Sequence, residues 1–125
     1  MIKVVVTGGR DYGNDQYIFQ VLDEIHLAPG ITFLAHGACP YGGADIIAED
    51  WARDREVDYR GFPAKFTSQG KPAGPRRNKR MLKEVEPDLV IAFPGGRGTA
   101  DCVKKAISLG IKVMDLREIP AALKY

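Results

Sequence analysis

Apolar positions along the chain alternate between two periods. Ile2-Lys3-Val4-Val5-Val6-Thr7 is a short β-branched run ended by Gly8-Gly9, the pattern of a buried strand. After Asn14-Asp15, either of which can cap a helix, apolar residues recur at Ile18, Val21, Leu22 and Ile25. That i, i+3, i+4, i+7 stripe predicts an amphipathic helix, ended by Pro29-Gly30. Thr32 to His36 predicts a second strand, broken at Gly37. Ala44, Ile47, Ala48 and Trp51 predict a second helix from about Ala44 to Arg55. Val57 to Phe62 is a weaker strand. Pro63 to Gly74 has no periodicity and predicts a mobile loop. Pro75 suits the first position of a third helix, in which Asn78, Met81, Leu82 and Val85 recur up to Glu86-Pro87. Leu89 to Phe93 is a continuous apolar run, expected when both faces of a strand are covered. Pro94 to Gly98 reads as a loop and Thr99 as an N-cap. Cys102, Val103, Ala106 and Ile107 form the last stripe, with Gly110 as C-cap. Ile111 to Leu116 is the final strand, and the tail to Tyr125 has no pattern.

The order is βαβαβαβαβ. Strict alternation with short loops predicts a parallel sheet covered by helices on both faces. With right-handed crossovers this is an α/β, Rossmann-like, doubly wound domain of about five parallel strands. The first and fourth strands should lie side by side at the switch point. No repeat or linker divides residues 1–125, so a single domain is expected.

Composition narrows the functional classes. Apolar residues make up 45% and charged residues 27%, ordinary for a soluble domain. The net charge of +2 is too small to argue for a nucleic-acid partner. Two cysteines, Cys39 and Cys102, cannot build a disulfide framework or a four-ligand zinc site, and no metal or other cofactor is expected. No apolar run reaches membrane-spanning length, and MIKVVVTGGRD turns polar too early for a signal peptide. A soluble, cytoplasmic protein is therefore expected. Nine of the 14 glycines fall in three stretches: Gly8, Gly9, Gly13; Gly37, Gly42, Gly43; Gly95, Gly96, Gly98. Composition alone does not explain that clustering.

Each stretch follows a predicted strand, so all three should gather at the carboxyl edge of the sheet, where such folds bind ligands. Glycine lets backbone approach a ligand closely. Two of the loops lead into helix N-termini, which favour an anion, phosphate being the natural candidate. Tight βα turns alone would also use glycine, but three loops on one edge favour a site. Neither GxGxxG nor GxxxxGK[ST] is present, which argues against a conventional dinucleotide dehydrogenase or P-loop NTPase.

PGGRGT after a hydrophobic strand resembles the PGGxGT signature of the Lonely-guy phosphoribohydrolases, which belong with the DprA/Smf proteins in the SLOG superfamily. The combination VTGGRDY, HGACPYGGAD, GPRRNKRML and AFPGGRGTAD resembles more closely the YspA-like, YpsA-related SLOG domains, from about Val4 to Val113. The resemblance implies a Rossmann-like fold that binds a nucleotide-derived ligand, such as a nucleoside monophosphate, ADP-ribose or an NAD derivative. It also brings two further readings: cleavage of an N-glycosidic bond in such a ligand, and DprA-like binding of single-stranded DNA. Low net charge and the lack of aromatics within the basic stretch count against the DNA reading. Lonely-guy enzymes carry a glutamate three residues after the motif threonine; here that position is Cys102, with Asp101 one place earlier. Cys102 fits the apolar stripe and reads as a small core residue rather than a nucleophile. Lonely-guy proteins are typically dimers, which leaves a homodimer or higher oligomer open.

The predicted ligand contacts are Gly8, Gly9, Arg10, Gly37, Gly95, Gly96, Arg97, Gly98 and Thr99, with Arg77, Asn78 and Arg80 from the third helix. Arg10 could clamp a phosphate bidentately. Arg76, Arg77, Lys79, Arg80 and Lys83 belong to a basic stretch that begins at Lys71 and meets no acid before Glu84. A basic run is usually a solvated helix face, but cations near a helix N-terminus oppose its dipole and invite an anion. Asn78 shares the face of Met81, Leu82 and Val85, so it should point inward. Asp101, Asp11 and Asp45 are the acid–base candidates for glycosidic cleavage, which needs a carboxylate beside the anomeric carbon. Asp45 would equally suit a helix first turn without any ligand. His36 and His26 read as structural, Trp51 as core, and Tyr12 and Tyr41 as rim residues able to stack on a base.

Overall fold

The computed structural model describes residues 1–66, 70 and 72–118. Among the described residues, five strands alternate with four helices: β1 (Ile2–Thr7), α1 (Asp15–Leu27), β2 (Ile31–His36), α2 (Ala44–Asp54), β3 (Asp58–Gly61), α3 (Ala73–Val85), β4 (Leu89–Ala92), α4 (Arg97–Ser108) and β5 (Lys112–Asp115). All four strand pairings are parallel, in the order β3-β2-β1-β4-β5. The chain winds outward from β1 through β2 to β3, then crosses back to place β4 on the other side of β1. The β1–β4 seam is thus the switch point of a doubly wound α/β sheet.

Strand alternation explains why both faces are filled. Val4 and Val6 of β1, with Leu89 and Ile91 of β4, face Ile18, Leu22, Ala48 and Trp51 of α1 and α2. Val5 and Val90 face the opposite way, onto Met81, Leu82, Cys102 and Ala106 of α3 and α4. Successive side chains on a strand point to opposite faces, so a run apolar at every position needs helices on both sides. The indole drawn into the first core is paired, whereas the Tyr12 hydroxyl packed against it is buried with no hydrogen-bond partner among the described residues. Trp51 Nε1 donates to Asp23 Oδ1 at 2.8 Å, and Asp23 also receives Arg55. Asn14 caps α1, its side chain accepting the Tyr17 N–H at 3.1 Å.

Several predicted details are corrected. The third helix begins at Ala73, so Pro75 is its third residue rather than its first. That position is tolerated because the first helical N–H groups have no intrahelical acceptor. Ala73 and Gly74 are helical, not loop; residues 67–69 and 71 of the predicted loop, the start of the basic stretch at Lys71, and the tail from 119 lie outside the described residues. The N-cap of α4 is Gly96, and Thr99 sits inside the first turn, buried. Ile107 does not join the apolar stripe; it is 64% exposed. Leu109 is the C-cap of α4, with Gly110 following at φ +75°.

Candidate functional site

The three glycine loops meet at the carboxyl edge and are laced through Gly9. Its N–H donates to Pro94 O at 2.8 Å, and its carbonyl accepts the N–H groups of Ala44 and Tyr12, both at 3.2 Å. Close packing explains several of the glycines. A Cβ on Gly8 would lie 2.5 Å from Ala44 Cβ, and one on Gly95 would lie 2.7 Å from Gly9 N. Gly43 combines φ +82° with backbone of Gly9 against the place where its Cβ would be. Gly96 and Gly98 are different. Neither has a positive φ, and a Cβ on either would meet nothing within 4 Å. Among the described residues, no packing requires glycine at these two positions, which open the start of α4 to the outside.

A cavity of about 190 Å³ lies beside these loops, over the β1–β4 seam. It is lined by Thr7 to Arg10, by Gly37, Cys39 and Asp45 from the β2–α2 side, by Arg77, Asn78 and Met81 of α3, and by Gly98 and Thr99 of α4. No side chain caps the N-terminus of α4, so its first-turn N–H groups remain open toward this edge. Arg77 is held in place by neutral oxygens. Its Nε donates to Asn78 Oδ1 at 2.8 Å, and its Nη1 donates to Gly37 O and to Phe62 O at 3.3 Å. Asn78 in turn donates to Gly98 O and to Asp101 Oδ2, both at 3.0 Å, and so ties α3 to the first turn of α4.

The three acidic candidates separate by position. Asp45 lines the cavity and is buried, with Oδ2 accepting the Cys39 N–H at 3.3 Å. Burial raises its carboxyl above the usual aspartate range, against the opposing pull of His36, Arg77 and the amides of Cys39 and Gly37. Asp101 does not line the cavity. Burial alone would raise it, but bonds from Lys105 and Asn78 outweigh that and hold its carboxyl low. Asp11 is exposed on the outer loop and also lies off the cavity.

Other predicted contacts divide similarly. Arg10 lines the cavity at its rim, with its guanidinium 5.3 Å from the centroid of the exposed Tyr41 ring. Arg97 and Gly96 are exposed at the start of α4, outside the lining. Arg80 faces a neighbouring cavity instead. Tyr12 is committed to packing, stacked on Phe93 at 5.9 Å. His36 is structural: Nδ1 accepts the Ala38 N–H at 2.9 Å, so Nε2 carries the proton shared with Glu49 Oε1 at 2.9 Å. Cys102 is buried, and burial pushes its thiol up to about 11, which removes it as a nucleophile near neutral pH. Among the described residues no His, Cys, Asp and Glu cluster could hold a metal ion. Thr7, Cys39 and Met81 line the cavity without having been singled out. Thr7 ends a strand at the rim, a usable signal, whereas Met81 reads in sequence only as core.

The family profile described as YAcAr, the YspA, cpYpsA-related SLOG family, matches residues 2–68. The chain belongs to that family. The match takes in β1 to β3 and the first two glycine loops of this SLOG domain; α3 and the PGGRGT loop lie beyond it. Among solved structures, DNA processing protein A (DprA) from Streptococcus pneumoniae superposes with a TM-score of 0.72 at 16% identity, over 90% of this chain and 49% of that one. The SLOG domain thus spans about half the length of that structure, and the likeness shows the fold. No curated protein matches the sequence. Among the described residues, no helix is long and apolar enough to cross a membrane.

Proposed function

We propose that the cavity at the β1–β4 seam binds a nucleotide-derived ligand, such as a nucleoside monophosphate, ADP-ribose or an NAD derivative, by its phosphate. The observation that carries the reading is the juxtaposition of two anion-seeking features. The uncapped start of α4 opens at Gly98, and the Arg77 guanidinium stands across the same cavity, hydrogen-bonded to neutral oxygens. Helix N–H groups and a fixed guanidinium both favour a phosphate. Gly8, Gly9 and Gly37 let the remaining wall approach the ligand, and Asp45 and Thr99 supply hydrogen-bonding groups for a ribose. Mass spectrometry of small molecules that copurify with the full chain tests this. A phosphorylated nucleoside is expected in stoichiometric amount; protein that copurifies with none, and that takes up none from a broad panel, would overturn it.

The position of Asp45 favours a second reading, cleavage of an N-glycosidic bond in that ligand. A buried carboxyl whose pKa is raised inside a ligand cavity is suited to holding and exchanging a proton. In this reading Asp45, rather than Asp101 or Asp11, works at the anomeric carbon. Free base and a ribose phosphate should then accumulate on incubation, and Asp45→Asn should stop their release while still binding ligand.

A further inference from the structure

Beside the glycine cavity lies a second one, about 180 Å³, lined by Pro63, Lys65, Ala73, Arg76, Arg77 and Arg80. Four of these six residues are basic, and none is acidic. The first turn of α3 holds no acid either, so its partial positive charge adds to that of the side chains. Among the described residues, compensation of the three arginines is slight. Glu84 Oε2 stands 3.9 Å from Arg80 Nε, beyond hydrogen-bond reach, and that Nε is buried with no hydrogen-bond partner. Arg76 is exposed and has no carboxylate within 4.0 Å among the described residues. Arg77 lines both cavities; its hydrogen bonds go to neutral acceptors, and a buried carboxyl that feels its charge, Asp45, lies on the glycine-cavity side. Like charges held this close repel unless an anion lies among them.

We infer that this basic cavity is a second anion subsite, contiguous with the first, so that the preferred ligand is a nucleotide carrying two phosphoryl groups, one in each cavity with Arg77 between them. The inference rests on the reading of the glycine cavity as a phosphate site. A nucleic-acid backbone is the poorer occupant, because no aromatic side chain is among the described residues that line the groove. Of the nearby rings, Phe62 is fully buried, with the guanidiniums of Arg60 and Arg80 at 4.1 and 5.6 Å from its centroid, and Phe66, 57% exposed, lies beside Gly74 outside the lining.

Calorimetry on the full chain tests the subsite with three probes: a nucleoside 5′-monophosphate, its 5′-diphosphate and its 3′,5′-bisphosphate. One doubly phosphorylated probe should bind at least about tenfold more tightly than the monophosphate, the gain expected from added charge-assisted hydrogen bonds. In the double variant Arg76→Gln, Arg80→Gln that advantage should shrink to about twofold or less, with monophosphate affinity unchanged, since neither residue lines the glycine cavity. Should the double variant fail to fold, Arg76→Gln alone, at an exposed position, should cut the advantage in the same direction. Monophosphate binding with no gain from a second phosphoryl group would overturn the subsite alone. So would a double variant that weakens all three probes alike. Failure of every probe would overturn the phosphate reading and the subsite with it. Tighter binding of an oligonucleotide than of any probe, lost in the double variant, would assign the groove to nucleic acid and overturn the inference.

Discussion

At the scale of single residues, the clustered glycines have different causes that sequence could not separate. Gly8, Gly43 and Gly95 are glycine because three loops pack onto one another, and only the folded arrangement reveals which backbone lies opposite each Cα. Gly96 and Gly98 have no such reason and mark the open side of the site. Asp45 shows the same limit. An aspartate in a helix first turn is unremarkable in sequence, and its burial beside Arg77 follows from how α2 meets α3. Its titration has a predictable sign. Burial raises its folded pKa, so the stability it contributes is full below its unfolded value, about 3.9, and is lost as pH rises through the raised value. Asp23, held low mainly by its bond from Arg55, contributes in the opposite sense, above that value, and loses its contribution as pH falls. In thermal melts between about pH 4 and pH 7, Asp45→Asn should therefore lose less stability than wild type. Parallel pH profiles would show that Asp45 does not titrate as described.

At the scale of elements, the helix stripes and apolar strand runs were almost wholly legible. Ile18, Val21, Leu22 and Ile25 are buried as their spacing demands, and so are Met81, Leu82 and Val85. Ends were less legible. Thr99 has the chemistry of an N-cap, but the chain turns into α4 three residues sooner, at Gly96, and the buried Thr99 packs against Gly95 instead. Ile107 has the right type, but it lies on the outer side of the last turn of α4. Asn78 is the joint between α3 and α4, buried and bonded to Arg77, Gly98 and Asp101. Asn78→Ala leaves buried polar groups unpaired, so it should destabilise the fold by about 2–3 kcal/mol in urea unfolding and weaken ligand binding. A stability change below about 0.5 kcal/mol, the range of ordinary surface substitutions, would contradict its place as a joint.

At the scale of the whole molecule, the doubly wound order and the β1–β4 seam followed from strand alternation and crossover handedness, and the gathering of the loops followed from the seam. The division of the basic face into two cavities sharing Arg77 did not, because a helix stripe says which residues face inward but not which loop they meet. Arg77 reaches Gly37, forty residues away in sequence, and Arg80 does not. The central claim is that a phosphorylated nucleoside sits over this seam. Backbone amide NMR of the full chain, titrated with a nucleoside 5′-monophosphate, tests it most directly. The amides of Gly98 and Thr99 at the start of α4, with those of Arg10 and Gly37 on the facing loops, should shift most and saturate together. An absence of shifts across the nucleotide panel, or shifts confined to β3 or the β5 edge, would contradict it.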